Sequence, residues 1–146
     1  MDRRQFLLMT VMAAAQAPVA AAVGDIPITI YRNPSCGCCD VYAGYLKENG
    51  FSVTLVDTFD AVAVHRKHRV PERLEGCHTA IAANYVFEGL IPAEYVKRVI
   101  GEKRPIRGLS VPGMPSGAPG MPGPARGPIH VYYLDDASSP QVFETF

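Results

Sequence analysis

Residues 26–56, IPITIYRNPSCGCCDVYAGYLKENGFSVTLV, change their hydrophobic period at two points, and the architecture follows from where they do so. Ile26 to Tyr31 is an apolar, β-branched run, the composition of a strand. Asn33, Pro34 and Ser35 then offer a turn with capping side chains, after which Val41, Tyr42, Tyr45 and Leu46 recur at helical spacing. The spacing predicts a helix over about Ser35 to Asn49, with Asn49-Gly50 as its stop because glycine accepts the left-handed backbone of a C-terminal cap. Phe51 to Val56 alternates apolar and polar residues and reads as a second strand. Strand, helix and strand joined this way need a right-handed crossover, so the two strands pair in parallel.

Beyond this unit, Ala61 to His68 reads as a short helix that ends in basic residues and stops by Pro71. Thr79–Ala83 and Tyr85–Phe87 flank Asn84 as a hairpin, and Pro92–Ile100 is a helix with proline in its first turn. After Gly108 the composition shifts to VPGMPSGAPGMPGP (111–124), a loop too rich in proline and glycine for regular structure. Strand character returns at Ile129–Leu134 and at Gln141–Thr145. The expected fold class is therefore α/β: a single thioredoxin-like domain (βαβ then ββα) with a Pro/Gly/Met loop and C-terminal strand additions.

The length of 146 residues suits one domain, and 14 Lys plus Arg balance 14 Asp plus Glu. That balance argues against a nucleic-acid or membrane-surface partner needing a strongly charged face, and points to a small ligand. At the N-terminus Arg3, Arg4, Gln5, Phe6 and Leu7 lead an apolar segment that runs to about Ala15, followed by the small residues Ala20–Ala22. Residues 1–22 read as an export signal of twin-arginine type, and 23–146 as the mature domain. The apolar segment is shorter than the roughly 20 residues of a membrane span, so no stable span is expected in the mature chain. The expected location is the periplasm, where disulfides persist.

Cys36 and Cys39 form a C-x-x-C pair at the start of the first predicted helix, with Cys38 between them. A helix N-terminus stabilises a thiolate through its unpaired amides and its dipole, which favours both nucleophilic attack and metal ligation. A disulfide exchanger needs one attacking and one resolving thiol, and a third beside them invites mispairing; a metal site instead gains a ligand. Cys38 and Cys39 are adjacent and pair poorly with each other, because a ring across one peptide bond strains disulfide geometry. Cys77 precedes the third predicted strand, where a thioredoxin-like arrangement brings it to face the cluster. There it can complete a metal site or pair with Cys36 or Cys39.

Thiolates select Cu(I), Zn(II) or iron–sulfur clusters, and thioethers favour Cu(I), so Met114 and Met121 in the loop tilt the choice to copper. His78, next to Cys77, is a further candidate ligand, and together with His130 it adds imidazoles that suit Cu(II). His65 and His68 lie in a basic stretch and read as solvated; His130 lies in a strand and reads as structural. Three other readings stand beside copper: a thiol–disulfide oxidoreductase with Cys36 as nucleophile and Cys39 as resolving thiol, a structural zinc site, and plain structural disulfides.

The combination YRNPSCGCC (31–39), GCHT (76–79) and VPGMPSGAPGM (111–121) resembles the domain-of-unknown-function family 411, the CopG-like periplasmic copper-resistance proteins. The resemblance runs from about Ile28 to Leu134. It implies a thioredoxin-like domain that binds copper and takes part in metal handling outside the cytoplasm. The family's thiol motif falls on Cys36, Cys38 and Cys39, its Cys-His on Cys77 and His78, and its Met loop on Met114 and Met121. The partners so implied are the metal ion and periplasmic copper donor or acceptor proteins.

Overall fold

The computed structural model describes residues 24–146. The segment read as an export signal lies outside the described residues. In chain order the elements are β1 (Ile26–Arg32), α1 (Gly37–Glu48), β2 (Phe51–Asp57), α2 (Ala61–His68), a 3-10 turn (Glu72–Leu74), β3 (His78–Ala82), β4 (Tyr85–Glu88), α3 (Ala93–Gly101), β5 (Gly108–Ser110), β6 (His130–Tyr133) and β7 (Val142–Thr145). They form one mixed α/β domain around a seven-stranded sheet of order β2-β1-β3-β4-β5-β6-β7. The β1–β2 pair is parallel, as the crossover requires, and β3 runs antiparallel to both β1 and β4.

α1 buries Cys39, Tyr42, Ala43 and Leu46, a stripe one helical face wide. Tyr42, Ala43 and Leu46 of this stripe pack in the same core cluster as Ile28 and Ile30, the inward residues of β1. Each fully buried side chain of this size contributes about 1.5–3 kcal/mol of transfer free energy. Two tyrosines on α1 fix α3 beside it: the Tyr42 hydroxyl donates to the Ile91 carbonyl at 2.8 Å, and the Tyr45 hydroxyl accepts from Ala93 N–H at 2.9 Å. α2 packs elsewhere, with its His68 ring 5.9 Å from Tyr31 of β1.

α2 has the expected limits, but its stop is Arg69, which takes the left-handed conformation (φ +56°) two residues before Pro71. The β3–β4 hairpin turns on Ala83 and Asn84, both at positive φ, the geometry that matches the twist of a two-residue hairpin. β5 is absent from the sequence reading; its three residues are all buried and pair in parallel with β4. Among the described residues no helix is long and apolar enough to cross a membrane.

The Pro/Gly/Met loop is anchored at both ends of its first half. Gly113 makes a short parallel bridge with Gly76, and its N–H donates to the Glu75 carbonyl at 3.0 Å. Gly120, at φ +94°, lies so close to α1 that a Cβ there would come 3.0 Å from the Cys38 carbonyl. Ala118 between them is buried.

Candidate metal centre

The thiols meet where three segments converge. Beyond β1, Asn33 turns the chain: its Oδ1 accepts from Ser35 N–H and its carbonyl from Cys36 N–H, both at 2.9 Å. Cys36 is thereby set at the N-cap of α1, with Cys38 and Cys39 in the first turn. Arg32 braces this turn, donating from Nη1 to Asp40 of α1 at 2.7 Å and from Nε to Asp57 of β2 at 3.0 Å. The second segment brings Cys77 on the approach to β3. Its neighbour Gly76 must be glycine, since a Cβ there would meet Gly89 Cα at 2.6 Å. The third segment is the loop that carries Met114.

The ligand sulfurs of Cys36, Cys38, Cys39 and Cys77 all lie within 4.8 Å of one another. Cys36 and Cys39 are joined as a disulfide, while Cys38 and Cys77 are free. Cys36 Sγ lies 3.2 Å from Cys38 Sγ, and Cys38 Sγ lies 4.0 Å from Met114 Sδ. Met114 is 56% exposed, and with Asn33, Ser35, Cys36, Gly37 and Cys38 it lines an open groove of about 520 Å³. Met121 behaves differently. It is half-buried and packed against the main apolar cluster.

His78 closes the back of the site. Its Nδ1 lies 3.2 Å from Cys77 Sγ and 3.7 Å from Cys39 Sγ, and its ring packs 4.8 Å from that of Tyr42. Only 2% of its surface is exposed, and this burial lowers its pKa to about 4, so the imidazole is neutral at pH 7 and keeps a lone pair. Its Nε2 is buried without a hydrogen-bond partner. Burial first, and the neighbouring Cys38 thiol second, push the Cys77 thiol up. A metal ion that binds there must displace that proton.

The structure thus gathers Cys36, Cys38, Cys39, Cys77, His78 and Met114. His130 stands apart, exposed on β6 and hydrogen-bonded to Thr145 Oγ1 at 2.8 Å. His65 corrects the sequence reading: it is buried, and its Nε2 donates to Glu88 Oε1 at 3.1 Å. Basic neighbours mask it, since Arg66 and Lys67 point outward while His65 occupies the inward position of α2. Glu88 was also missed, because an acid after Tyr85-Val86-Phe87 reads as an exposed strand end, yet it is wholly buried.

Chemically the centre is a set of soft sulfur donors with one neutral imidazole, and two of its thiols form a closed disulfide whose reduction takes two electrons and two protons. The family described as "Protein of unknown function, DUF411" matches residues 74–121, which span Cys77, His78 and both loop methionines. No curated protein matches. Two solved structures of a copper resistance protein CopG, Form 1 and Form 2, are similar to this chain, each with a TM-score of 0.75 and 31% identity. Each comparison covers 84% of this chain and 98% of the other. With that identity maintained over almost the whole of CopG, and the family match lying across the Cys77 and Met114 segments, the chain belongs to the DUF411 family of CopG-like proteins.

Proposed function

We propose that the protein is an exported, periplasmic copper-binding protein that holds Cu(I) in copper resistance or homeostasis. The carrying observation is four cysteine sulfurs within 4.8 Å of one another at one helix start. Thiolate, thioether and neutral imidazole are the donor set that favours copper over harder ions. Cys36, Cys38, Cys39 and Cys77 supply the thiolates, Met114 a thioether at the solvent side, and His78 an imidazole from the interior. Met121 belongs to the same loop, and its packing fits an anchoring role better than ligation. The likeness to copper resistance protein CopG supports the choice of metal.

The domain is read as thioredoxin-like. The segment order β2-β1-β3-β4, with a parallel first pair and an antiparallel hairpin, supports that reading. Redox coupling belongs to the same proposal. Closing the Cys36–Cys39 disulfide releases two electrons and two protons, enough to reduce two Cu(II) to Cu(I). It also removes two thiolates from the donor set, so metal affinity depends on the thiol state. Donor or acceptor proteins outside the cytoplasm would deliver and collect the ion at the open Met114 side.

The second reading, a thiol–disulfide oxidoreductase, is favoured by the closed Cys36–Cys39 pair at the N-terminus of α1. Cys38→Ser separates the two. The copper reading predicts that anaerobic Cu(I) titration of the reduced mature protein against a competing chelator shows at least about tenfold weaker binding in the variant, about 1.4 kcal/mol. The exchanger predicts unchanged binding in Cys38→Ser, turnover of a disulfide substrate without metal, and loss of that turnover in Cys36→Ser.

A further inference from the structure

The sulfur cluster leaves one buried acid without a role. Glu88, the last residue of β4, is 0% exposed. A carboxylate taken out of water is costly unless hydrogen bonds replace its hydration, and Glu88 has a full set. Its Oε1 accepts from Gly76 N–H at 2.9 Å and from His65 Nε2–H at 3.1 Å, and its Oε2 accepts from the Thr79 hydroxyl at 2.7 Å. Gly76 and Thr79 are the residues on either side of Cys77 and His78. The Glu88 carbonyl also accepts from Val111 N–H at 2.9 Å, at the head of the loop that carries Met114.

Strand geometry explains how this acid can reach the site without entering it. Thr79 pairs with Glu88 across the β3–β4 hairpin, so the two side chains share one face of the sheet. Successive strand residues point to opposite faces, which sends His78 to the other side, where it meets Tyr42 of α1 and the cysteine sulfurs. Glu88 therefore grips both flanks of the Cys77–His78 pair from behind, and α2 supplies His65 as its counter-group.

We infer that Glu88, seated on His65, is a positioning residue that holds Cys77 and His78 in place against the thiols of α1. Its consequence for copper rests on the function proposed above, whereas the bracing itself is measurable in metal-free protein. Reduced protein carrying Glu88→Leu, Glu88→Gln or Thr79→Val is alkylated with iodoacetamide over a time course, and peptide mass spectrometry gives the ratio of Cys77 to Cys38 labelling rates. Melting temperature and Cu(I) affinity are measured on the same samples.

The expected result is a Cys77:Cys38 ratio raised by about fivefold or more in Glu88→Leu, with Cu(I) binding weakened about tenfold, the scale of losing a buried hydrogen-bond partner. Glu88→Gln keeps an oxygen for Gly76 and restores most of the difference, and Thr79→Val falls between. A Leu variant that melts earlier with an unchanged labelling ratio overturns the inference, because a purely structural acid behaves that way. Should Glu88→Leu fail to fold, Thr79→Val decides, and an unchanged ratio there overturns it equally. A shifted ratio in protein that binds no Cu(I), wild type included, upholds the bracing and removes the copper reading instead.

Discussion

Met114 and Met121 share a loop and a chemistry but have different surroundings. Met114 is exposed beside Cys38, whereas Met121 is half-buried against the core. Met114→Ala is predicted to weaken Cu(I) binding by about tenfold or less, up to about 1.4 kcal/mol, with little change in melting. Met121→Ala should do the reverse: Cu(I) affinity stays near wild type, and stability falls by about 1–2 kcal/mol, less than a fully buried Met→Ala change because the side chain is only half-buried. Chelator competition and thermal melts on both variants check the contrast. His65 gives a pH test at the same scale. The hydrogen bond to Glu88, then the charges of Glu88 and Glu75, raise its pKa above 6.5 against the opposing effect of burial. A raised pKa means the folded state binds the proton more tightly, so this contribution is complete below about pH 6.5 and is lost as pH rises through the folded value. The melting-temperature difference between wild type and His65→Phe should therefore shrink from pH 6 to pH 9. A difference independent of pH would contradict a protonated His65 held between Glu88 and Glu75, each 3.1 Å from one of its ring nitrogens.

At the level of elements, the packing of Gly76, Gly89 and Val111 holds the Cys77 segment to the Met114 loop. Gly89 is at φ +75°, and a Cβ there would collide with the Val111 carbonyl. Gly89→Ala is predicted to cost roughly 3 kcal/mol from backbone strain and overpacking together. Gly44 makes the internal control. It lies in α1 with nothing within 4 Å of an added Cβ, so Gly44→Ala should gain about 0.5–1 kcal/mol from helix propensity. Denaturant melts of both variants test the pair. The elements with a long periodic signal were legible in the sequence: β1, α1, β2, α2, the hairpin and α3 all appear within a few residues of their expected limits. β5 was not legible, since three residues cannot display a period, and it forms because β4 offers a parallel partner after α3.

For the whole molecule, the site is made by convergence: a turn after β1, the approach to β3 and a loop after β5 meet at one end of the sheet. Cys36, Cys38 and Cys39 were legible because they adjoin in sequence, and Cys77 because the expected topology carries its segment to the start of α1. The Glu88–His65–Gly76–Thr79 network was not, because its members come from α2, β4 and the segment around Cys77 and only pairing across the sheet reveals it. The closed Cys36–Cys39 bond makes a further whole-molecule prediction: oxidised protein shows two titratable thiols, Cys38 and Cys77, and binds Cu(I) more weakly than reduced protein with all four free. Thiol counting with parallel chelator competition checks it, and equal affinity in both states would remove redox coupling. Copper K-edge X-ray absorption on the reduced, Cu(I)-loaded mature protein reads directly whether sulfur from this cluster holds the ion. A first coordination shell dominated by sulfur, losing sulfur in Cys38→Ser, is the expected result, whereas a shell of nitrogen and oxygen alone, unchanged by that substitution, would rule out a thiolate-held ion.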